Sequence, residues 1–296
     1  MEFVMRPASR WQRTLGRIPV LGEVVEQPLG ALGVVIVAVF LVLVIAGPLI
    51  APYDYAAQDL SRLLEGPSKD YLLGTDHLGR DLFSRLVFGA RIALGTAVPA
   101  VIISILGGVI LGLLGGYLGG LIDDVIVVIL DSIQAFPGVI LALAILALLG
   151  PSLVNEILVI GIAWIPAYAR MTRAQAMSAK HQLYVEAERS LGASSARILF
   201  SHILPNILAP LLILAAMDLP VVITFEAGLS FLGLGVRPPT PSWGVILSDG
   251  FKFVRNSPWP ILWTGIVLGI TTLGFTVFAE SLRDVLDPRL SGTRRA

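Results

Sequence analysis

Cysteine is absent from this chain of 296 residues, and charged residues make up only 14% of it. Without cysteine there can be no disulfides, thiolate metal sites or cysteine nucleophiles. Soluble proteins carry about 25% charged residues, whereas here 55% of the residues are hydrophobic, so the chain faces lipid over much of its surface. Its formal net charge is zero, and its basic clusters lack interleaved aromatic residues, so we expect no nucleic-acid partner.

A phosphate-binding loop is also missing. Such a loop places a lysine directly after a glycine, and none of the lysines has that neighbour; they are Lys69, Lys180 and Lys252. We therefore predict that the chain is not itself an ATPase, and that any energy from ATP comes from another subunit.

Histidine is scarce, and its positions exclude two further kinds of site. His77, His181 and His202 are far apart, without the spacing of a metal site, so we predict no metal. Gly228-Leu-Ser230 weakly resembles the Gly-x-Ser stretch of intramembrane proteases, which need a later histidine to activate the serine. No histidine follows His202, so we predict no catalytic residues.

Apolar runs long enough to span a bilayer dominate the rest of the chain. Six can be drawn, at roughly 29–50, 92–118, 125–149, 153–169, 206–230 and 259–281. Four arginines precede the first run, five basic residues separate the fourth from the fifth, and four arginines follow the sixth. Because basic residues favour the cytoplasmic side, the sequence predicts an all-α polytopic membrane protein of about six transmembrane helices, with both termini inside.

This topology divides the chain into regions. They are a cytoplasmic N-terminal segment (1–28), a first transmembrane helix (29–50), an extracytoplasmic segment (51–91), a core of five transmembrane helices (92–281) with a cytoplasmic loop at 170–205, and a cytoplasmic C-terminal tail (282–296). Within the extracytoplasmic segment, Asp81 and Arg85 stand four residues apart on a predicted helix and are expected to pair. A stretch rich in glycine and proline, 228–244, predicts an outward-facing turn with Trp243 near the membrane interface.

Glycine recurs at every fourth position along the second apolar run. The residues concerned are Gly108, Gly112, Gly116 and Gly120. Small residues at this spacing line one helix face and let another backbone approach closely. We predict that the stripe packs against another span, within this chain or a partner.

Acidic residues and prolines mark candidates for a translocation path. Asp131 lies six residues before Pro137, and Asp218 lies just before Pro220. An acid inside a span is costly in lipid, and kinked helices commonly line a transport path. We expect Asp131, Pro137 and Asp218 to face such a path.

The most informative stretch is the polar one from 184 to 205. Its first part, Tyr184 to Leu191, contains good helix formers, and Gly192 breaks the run. Ser194 or Ser195 is predicted to cap a second helix that ends at Pro205. Each helix is about 12 Å long, too short to span a bilayer. A short amphipathic helix, hinge and helix suit docking into a groove on another protein.

The spacing of this stretch resembles the EAA loop of ABC-importer permeases, a coupling helix that seats in a cleft of the cytoplasmic ATPase. The matching residues are Glu186, Ala187, Gly192, Leu204 and Pro205. Two residues depart from the pattern, since Glu188 stands where a second alanine is usual and His202 where an isoleucine is usual.

A second stretch of the sequence makes the resemblance more specific. Residues 73–91, with Gly79-Arg80-Asp81 in the middle, are similar to the signature of the C-type permeases of dipeptide, oligopeptide and nickel importers. The stretch 228–244 and the tail up to Leu290 resemble the same family. The similarity extends from about residue 71 to residue 290, which is most of the chain.

The resemblance implies a type I ABC-importer permease fold in the bacterial cytoplasmic (inner) membrane. It implies a homologous B-type permease as partner, two cytoplasmic ATP-binding subunits that hold ATP and Mg, an extracytoplasmic substrate-binding protein, and no cofactor in this chain. Di- or oligopeptides are the commonest substrates. The residues that it assigns to ATPase coupling are Tyr184, Glu186, Ala187, Glu188, Gly192, Leu204 and Pro205.

Two other functions are compatible with part of the sequence. A secondary transporter driven by an ion gradient would account for the spans, the kinks and the buried acids, but it would leave the docking loop unexplained. A passive membrane scaffold would use the loop and leave the kinked, acid-bearing spans without a role.

Overall fold

The computed structural model describes residues 20–286 of the chain. Within that range the regular structure is helical, and the longer elements are connected by short loops apart from the segment 51–81. The helices are α1 (Val20–Glu26), α2 (Pro28–Ile50), α3 (Leu82–Leu118), α4 (Gly120–Gln134), α5 (Gly138–Leu149), α6 (Leu153–Ala179), α7 (Leu183–Ser190), α8 (Ser195–Arg197), α9 (Leu204–Phe231), α10 (Trp243–Lys252) and α11 (Trp259–Leu286). The predicted arginine cluster before residue 20, and the tail beyond residue 286, lie outside the described residues.

Five continuous helical stretches are long and apolar enough to cross a membrane. They are α2, α3, α6, the stretch Ser195–Phe231 and α11. Taken together, the helices α4 and α5 are also long and apolar enough for one span, and they meet at an angle of 85°. We refer to this bent pair as the broken span. Pro137 lies at this bend; it lacks a backbone N–H and disfavours helical geometry at the residue before it. The prediction of an all-α polytopic membrane protein with about six spans is confirmed.

The start of α3 differs from the prediction. This helix begins at Leu82, within the region 51–91 that was expected to be extracytoplasmic, and it continues without a break to Leu118. The side chain of Asp81 accepts a hydrogen bond from the backbone N–H of Ser84 at 2.7 Å, which caps the first turn. The amphipathic helix predicted at the end of this segment is thus the first part of a span.

The expected end of the second loop helix at Pro205 is wrong. Ser194 caps α8, accepting from the N–H of Arg197, but the chain then passes through a π-helical turn, Ile198–Ile203, directly into α9. Proline clashes with the carbonyl of the preceding turn in an α-helix. The wider π turn accommodates Pro205 in the first turn of α9.

The glycine stripe brings α3 and α6 into backbone contact. A Cβ atom at Gly112 would lie 2.5 Å from the carbonyl oxygen of Ala169, and one at Gly116 would lie 2.6 Å from the carbonyl oxygen of Arg173. Gly108 faces the same helix at Tyr168. Gly120 does not continue the stripe, because it begins α4 with φ of +57° and has no neighbour within 4 Å of a Cβ. The stripe therefore packs within this chain.

The segment 51–81 is tied to the bundle through buried charges. Asp76 Oδ2 lies 2.7 Å from Arg80 Nε and 3.4 Å from Arg85 Nε, and Arg80 Nη2 lies 3.7 Å from Asp249 Oδ2 on α10. The expected pair of Asp81 with Arg85 does not form, because Asp81 is engaged as the cap of α3 and the nearer acid to Arg85 is Asp76.

Trp243, which was expected near the membrane interface, is fully buried in the protein. It begins α10, a helix that we did not predict, and Ser242 caps that helix by accepting from the N–H of Val245. The indole N–H donates to the carbonyl of Leu86 at 2.9 Å, and the ring packs edge-on against Phe40. Trp243 therefore joins α10 to α2 and α3.

Candidate coupling loop and translocation path

The predicted coupling loop consists of α7, a hinge at Gly192, and α8 with the π turn. Gly192 has φ of +81°, and no atom lies within 4 Å of where its Cβ would stand. The positive φ, rather than crowding, therefore accounts for glycine at this position. Ile198 and Ile203, in the π turn that follows α8, are buried in the bundle. The loop therefore has one arm that is anchored in the bundle, α8 with the π turn, and a second arm, α7, on the other side of Gly192.

α7 has little contact with the rest of the chain. Val185 is its buried side chain, whereas Leu183 at its start and Leu191 directly after its end are 83% and 84% exposed. Glu186 and Ala187 are exposed as well, and Tyr184 is 40% exposed. Leu204 is half-buried and Pro205 is exposed at the start of α9. A helix of eight residues with an open apolar and acidic surface is suited to binding another protein.

The two residues that depart from the EAA pattern face each other across the loop. Glu188 Oε1 on α7 lies 3.5 Å from His202 Nε2 in the π turn. Both side chains are about a quarter exposed. The sequence placed these departures fourteen positions apart, and only the fold of the hinge brings them together. The acid and the imidazole therefore form one contact between the two arms of the loop.

Of the candidate path residues, Asp131 forms an ion pair. Its Oδ1 lies 2.7 Å from Nη2 of Arg170 on α6, and both side chains are more than half exposed. Asp131 belongs to α4, the first half of the broken span, and Pro137 is exposed at the bend. An ion pair inside a span is unfavourable against lipid, and it suits a surface that faces water or another subunit.

Asp218 is placed differently. It is half-buried on α9 and faces Trp164 and Tyr168 of α6. Asp131 instead contacts Arg170, two residues after Tyr168 on the same helix. The three predicted path residues are not gathered into one site in the described part of the chain.

A cavity of about 610 Å³ opens between α5, α9 and α11. Its lining is apolar except for threonine hydroxyls, and it includes Val139, Pro220, Thr224, Phe225, Thr272 and Thr276. Neither Asp131 nor Asp218 lines it. Sequence reasoning missed this cavity, because its walls come from three helices that are far apart in the chain.

Two arginines on α6 were also not recognised as partners of acids on α4. Arg173 donates from Nε and Nη2 to the two carboxylate oxygens of Asp123, at 2.5 and 2.6 Å, and Arg170 pairs with Asp131 as described. These contacts explain how two acids of α4, Asp123 in its first turn and Asp131 in its last, are compensated. The signal in the sequence was the cluster of basic residues after the fourth apolar run, which we interpreted only as a marker of orientation.

The described residues thus form a bundle of apolar helices, with one bent pair and with a short exposed helix between two long spans. The chain belongs to the family of binding-protein-dependent transport system inner membrane components, whose sequence model matches residues 108–292. The model of the N-terminal TM domain of oligopeptide transport permease C matches residues 24–67.

Similar proteins agree with this assignment. The chain is 39% identical over 265 residues to the dipeptide transport system permease protein DppC of Alkalihalophilus pseudofirmus, covering 90% of this chain and 87% of that protein. It is 43% identical over 244 residues to the glutathione transport system permease protein GsiD of Salmonella typhimurium, covering 82% and 80%.

The fold is similar to that of a chain in the inward-facing MetNI methionine ABC transporter, with a TM-score of 0.53 and 17% identity, over 68% of this chain and 96% of that one. The protein is a permease subunit of an ABC importer.

Proposed function

We propose that this permease moves di- or oligopeptides across the bacterial cytoplasmic (inner) membrane, after an extracytoplasmic binding protein delivers them. It would act as a heterodimer with a homologous B-type permease. Two cytoplasmic subunits with bound ATP and Mg would supply the energy. The observation that carries the proposal is the exposed surface of α7 beside the Gly192 hinge. The substrate class is supported by the similarity to the dipeptide permease DppC.

In this mechanism α7 seats in a cleft of an ATPase subunit. Glu186 supplies a polar contact, Ala187 permits close approach, and Gly192 lets α7 turn relative to the bundle. Tyr184 and Glu188 flank these residues on α7. Leu204 and Pro205 begin α9, the span to which the movement of α7 would be transmitted. Rigid-body movement of the spans between outward-open and inward-open arrangements is sufficient for transport, and no covalent chemistry by this chain is needed.

For the translocation path we propose three separate contributions: Asp131 and Pro137 on the broken span, Asp218 on α9, and the apolar cavity between α5, α9 and α11. The half-exposed pair of Asp131 with Arg170 supports this placement, because charged side chains inside a span favour a hydrated surface. The cavity contributes an uncharged wall with threonine hydroxyls. A wall without charged groups would accept peptides with different side chains.

The hinge can be tested by replacing Gly192 with valine. A β-branched residue is strained at φ of +81° by roughly 1–3 kcal/mol, so we expect α7 to shift and ATPase activity stimulated by the binding protein to fall severalfold. Gly233 is a matched control, since it has φ of +83° and an equally open environment in the turn after α9. Gly233→Val should carry similar strain and keep the stimulation. Equal behaviour of the two variants would argue against a hinge at Gly192.

The proposed partners can be identified by a detergent pull-down of the tagged chain from its native membrane, followed by mass spectrometry. We expect a second permease and P-loop ATPase subunits to remain bound. Recovery of the chain alone, from a preparation in which other complexes survive, would instead favour a carrier driven by an ion gradient. In that case transport would survive ATP depletion and would collapse with the proton gradient.

A further inference from the structure

Tyr117 lies at the end of α3, where the coupling loop folds back against the bundle, and only 6% of it is exposed. Arg189, in the last turn of α7, donates a hydrogen bond from Nη2 to the Tyr117 hydroxyl at 3.4 Å, and its guanidinium carbon lies 5.8 Å from the ring centroid. The ammonium of Lys180, just after α6, lies 5.9 Å from the same ring. The Tyr117 ring thus contacts one cation that precedes α7, Lys180, and one cation within α7, Arg189.

Tyr117 is part of a rigid unit. Next to it, Gly116 brings the backbone of α3 against Arg173 of α6. Arg173 in turn makes two hydrogen bonds to Asp123 near the start of α4. The ends of α3, α4 and α6 nearest the loop are therefore joined by backbone packing and by a bidentate ion pair, which fixes their relative positions.

α7 is held to the bundle by three contacts, which are the buried side chain of Val185, the contact of Glu188 with His202 in the π turn, and the contact of Arg189 with Tyr117. The buried side chain of Val185 packs without a preferred direction, because burial of apolar surface is non-directional. The Tyr117–Arg189 contact is directional, since both a hydrogen bond and the stacking of a cation on a ring depend on orientation. Because Glu188 contacts the other arm of the loop, the Tyr117–Arg189 contact is the one that relates the orientation of α7, including Glu186 and Ala187, to the unit of α3, α4 and α6.

We propose that Tyr117 is a positioning residue that latches α7 to the unit of α3, α4 and α6. With the latch in place, a displacement of α7 by an ATPase subunit moves the two long spans α3 and α6. Without it, α7 remains attached through Val185 and Glu188 but turns relative to these spans, and the displacement does not reach them. This inference rests on the proposed coupling role of the loop 170–205. It adds Tyr117, a residue outside that loop, to the residues that would couple α7 to the spans. No feature of the loop's own sequence indicates this residue.

The latch can be measured in the complete importer in lipid nanodiscs, with partner subunits freed of cysteine. Because this chain has no cysteine, spin labels at Gln175→Cys on α6 and Ser190→Cys on α7, both exposed positions, report the placement of α7. The variants to compare are Tyr117→Leu, which removes ring and hydroxyl, and Tyr117→Phe, which keeps the ring. Phe275→Leu is the matched control, since it removes a buried ring of α11 that packs on Phe40 of α2 rather than on the coupling loop.

We expect Tyr117→Leu to broaden the distance distribution between the labels and to lower ATPase stimulation by the binding protein about tenfold, while subunit stoichiometry stays normal. Tyr117→Phe should show an intermediate effect on both readouts. Phe275→Leu should lower the unfolding temperature without changing either.

An unchanged distance distribution in Tyr117→Leu would overturn the latch, and so would loss of ATPase subunits in proportion to the loss of stimulation, because the residue would then serve assembly. Failure of the proposed function looks different. In that case the wild-type complex itself would contain no ATPase subunit and would show no stimulation.

Discussion

Replacing Gly112 with leucine is expected to force α3 and α6 apart and to lower the free energy of unfolding by about 3 kcal/mol or more. The added side chain would enter a space where even a Cβ atom lies 2.5 Å from the backbone of Ala169 and 2.5 Å from Thr172. A backbone atom cannot rotate away, so the whole helix must move. The yield of folded chain in detergent, and its thermal unfolding, measure the effect.

Gly95 supplies the control on the same helix, because it is exposed and nothing lies within 4 Å of its Cβ position. Gly95→Ala should leave stability unchanged or raise it slightly, since alanine has the better helix propensity. Gly112→Ala should already be destabilising. Normal yield and normal unfolding temperature for Gly112→Leu would show that α3 and α6 do not rely on close backbone contact.

Replacing Asp76 with asparagine is expected to have an effect of similar size. The carboxylate of Asp76 accepts from the backbone N–H groups of Leu78 and Arg80 and lies against the guanidinium groups of Arg80 and Arg85. Both arginines are buried. Removing one partner of a buried ion pair costs about 3–5 kcal/mol, because the remaining charge has no compensation. We expect the segment 51–81 to detach from α10, which limited proteolysis would detect.

Asp70 offers the matched control, because it also pairs with an arginine but at the surface. Its Oδ2 lies 2.8 Å from Arg62 Nη1, with 61% of the Asp70 side chain exposed. The hydrogen bond to Asp70 raises the pKa of Arg62, yet solvent screens such pairs and they contribute little to stability. Asp70→Asn should therefore leave the proteolysis pattern unchanged. If Asp76→Asn behaved in the same way, the buried cluster would have no role in holding the segment.

The spans could be predicted from the sequence because a bilayer imposes one simple requirement, a long apolar run whose backbone groups are bonded within the helix. The second span was drawn from residue 92, although its helix begins at Leu82, because the first turns of this helix do not form an apolar run. Its first turns pack against protein rather than lipid, so Ser84 and Arg85 interrupt the apolar pattern although they are buried. The cap at Asp81 was the local signal that marked the true start.

Contacts between distant parts of the chain were beyond prediction. Trp243 was expected near the membrane interface because tryptophan favours that position. Its burial against α3 could not be predicted, because its hydrogen-bond partner Leu86 lies 157 residues earlier. The passage of α8 into α9 through Pro205 was missed because it depends on a π turn, and nothing in the local sequence distinguishes that turn from an ordinary helix. In the coupling loop the positive φ at Gly192 could be anticipated, since only the backbone of glycine adopts it without strain.

The contact between Glu188 and His202 limits which segments of the loop can be exchanged between related permeases. A loop grafted as α7 alone would carry Glu188 away and leave the imidazole of His202 in the π turn without the acid that faces it. A graft of the π turn alone would leave the acid unmatched. The two positions behave as one transferable unit, so the smallest segment that can be exchanged intact runs across the hinge, from α7 to the beginning of α9.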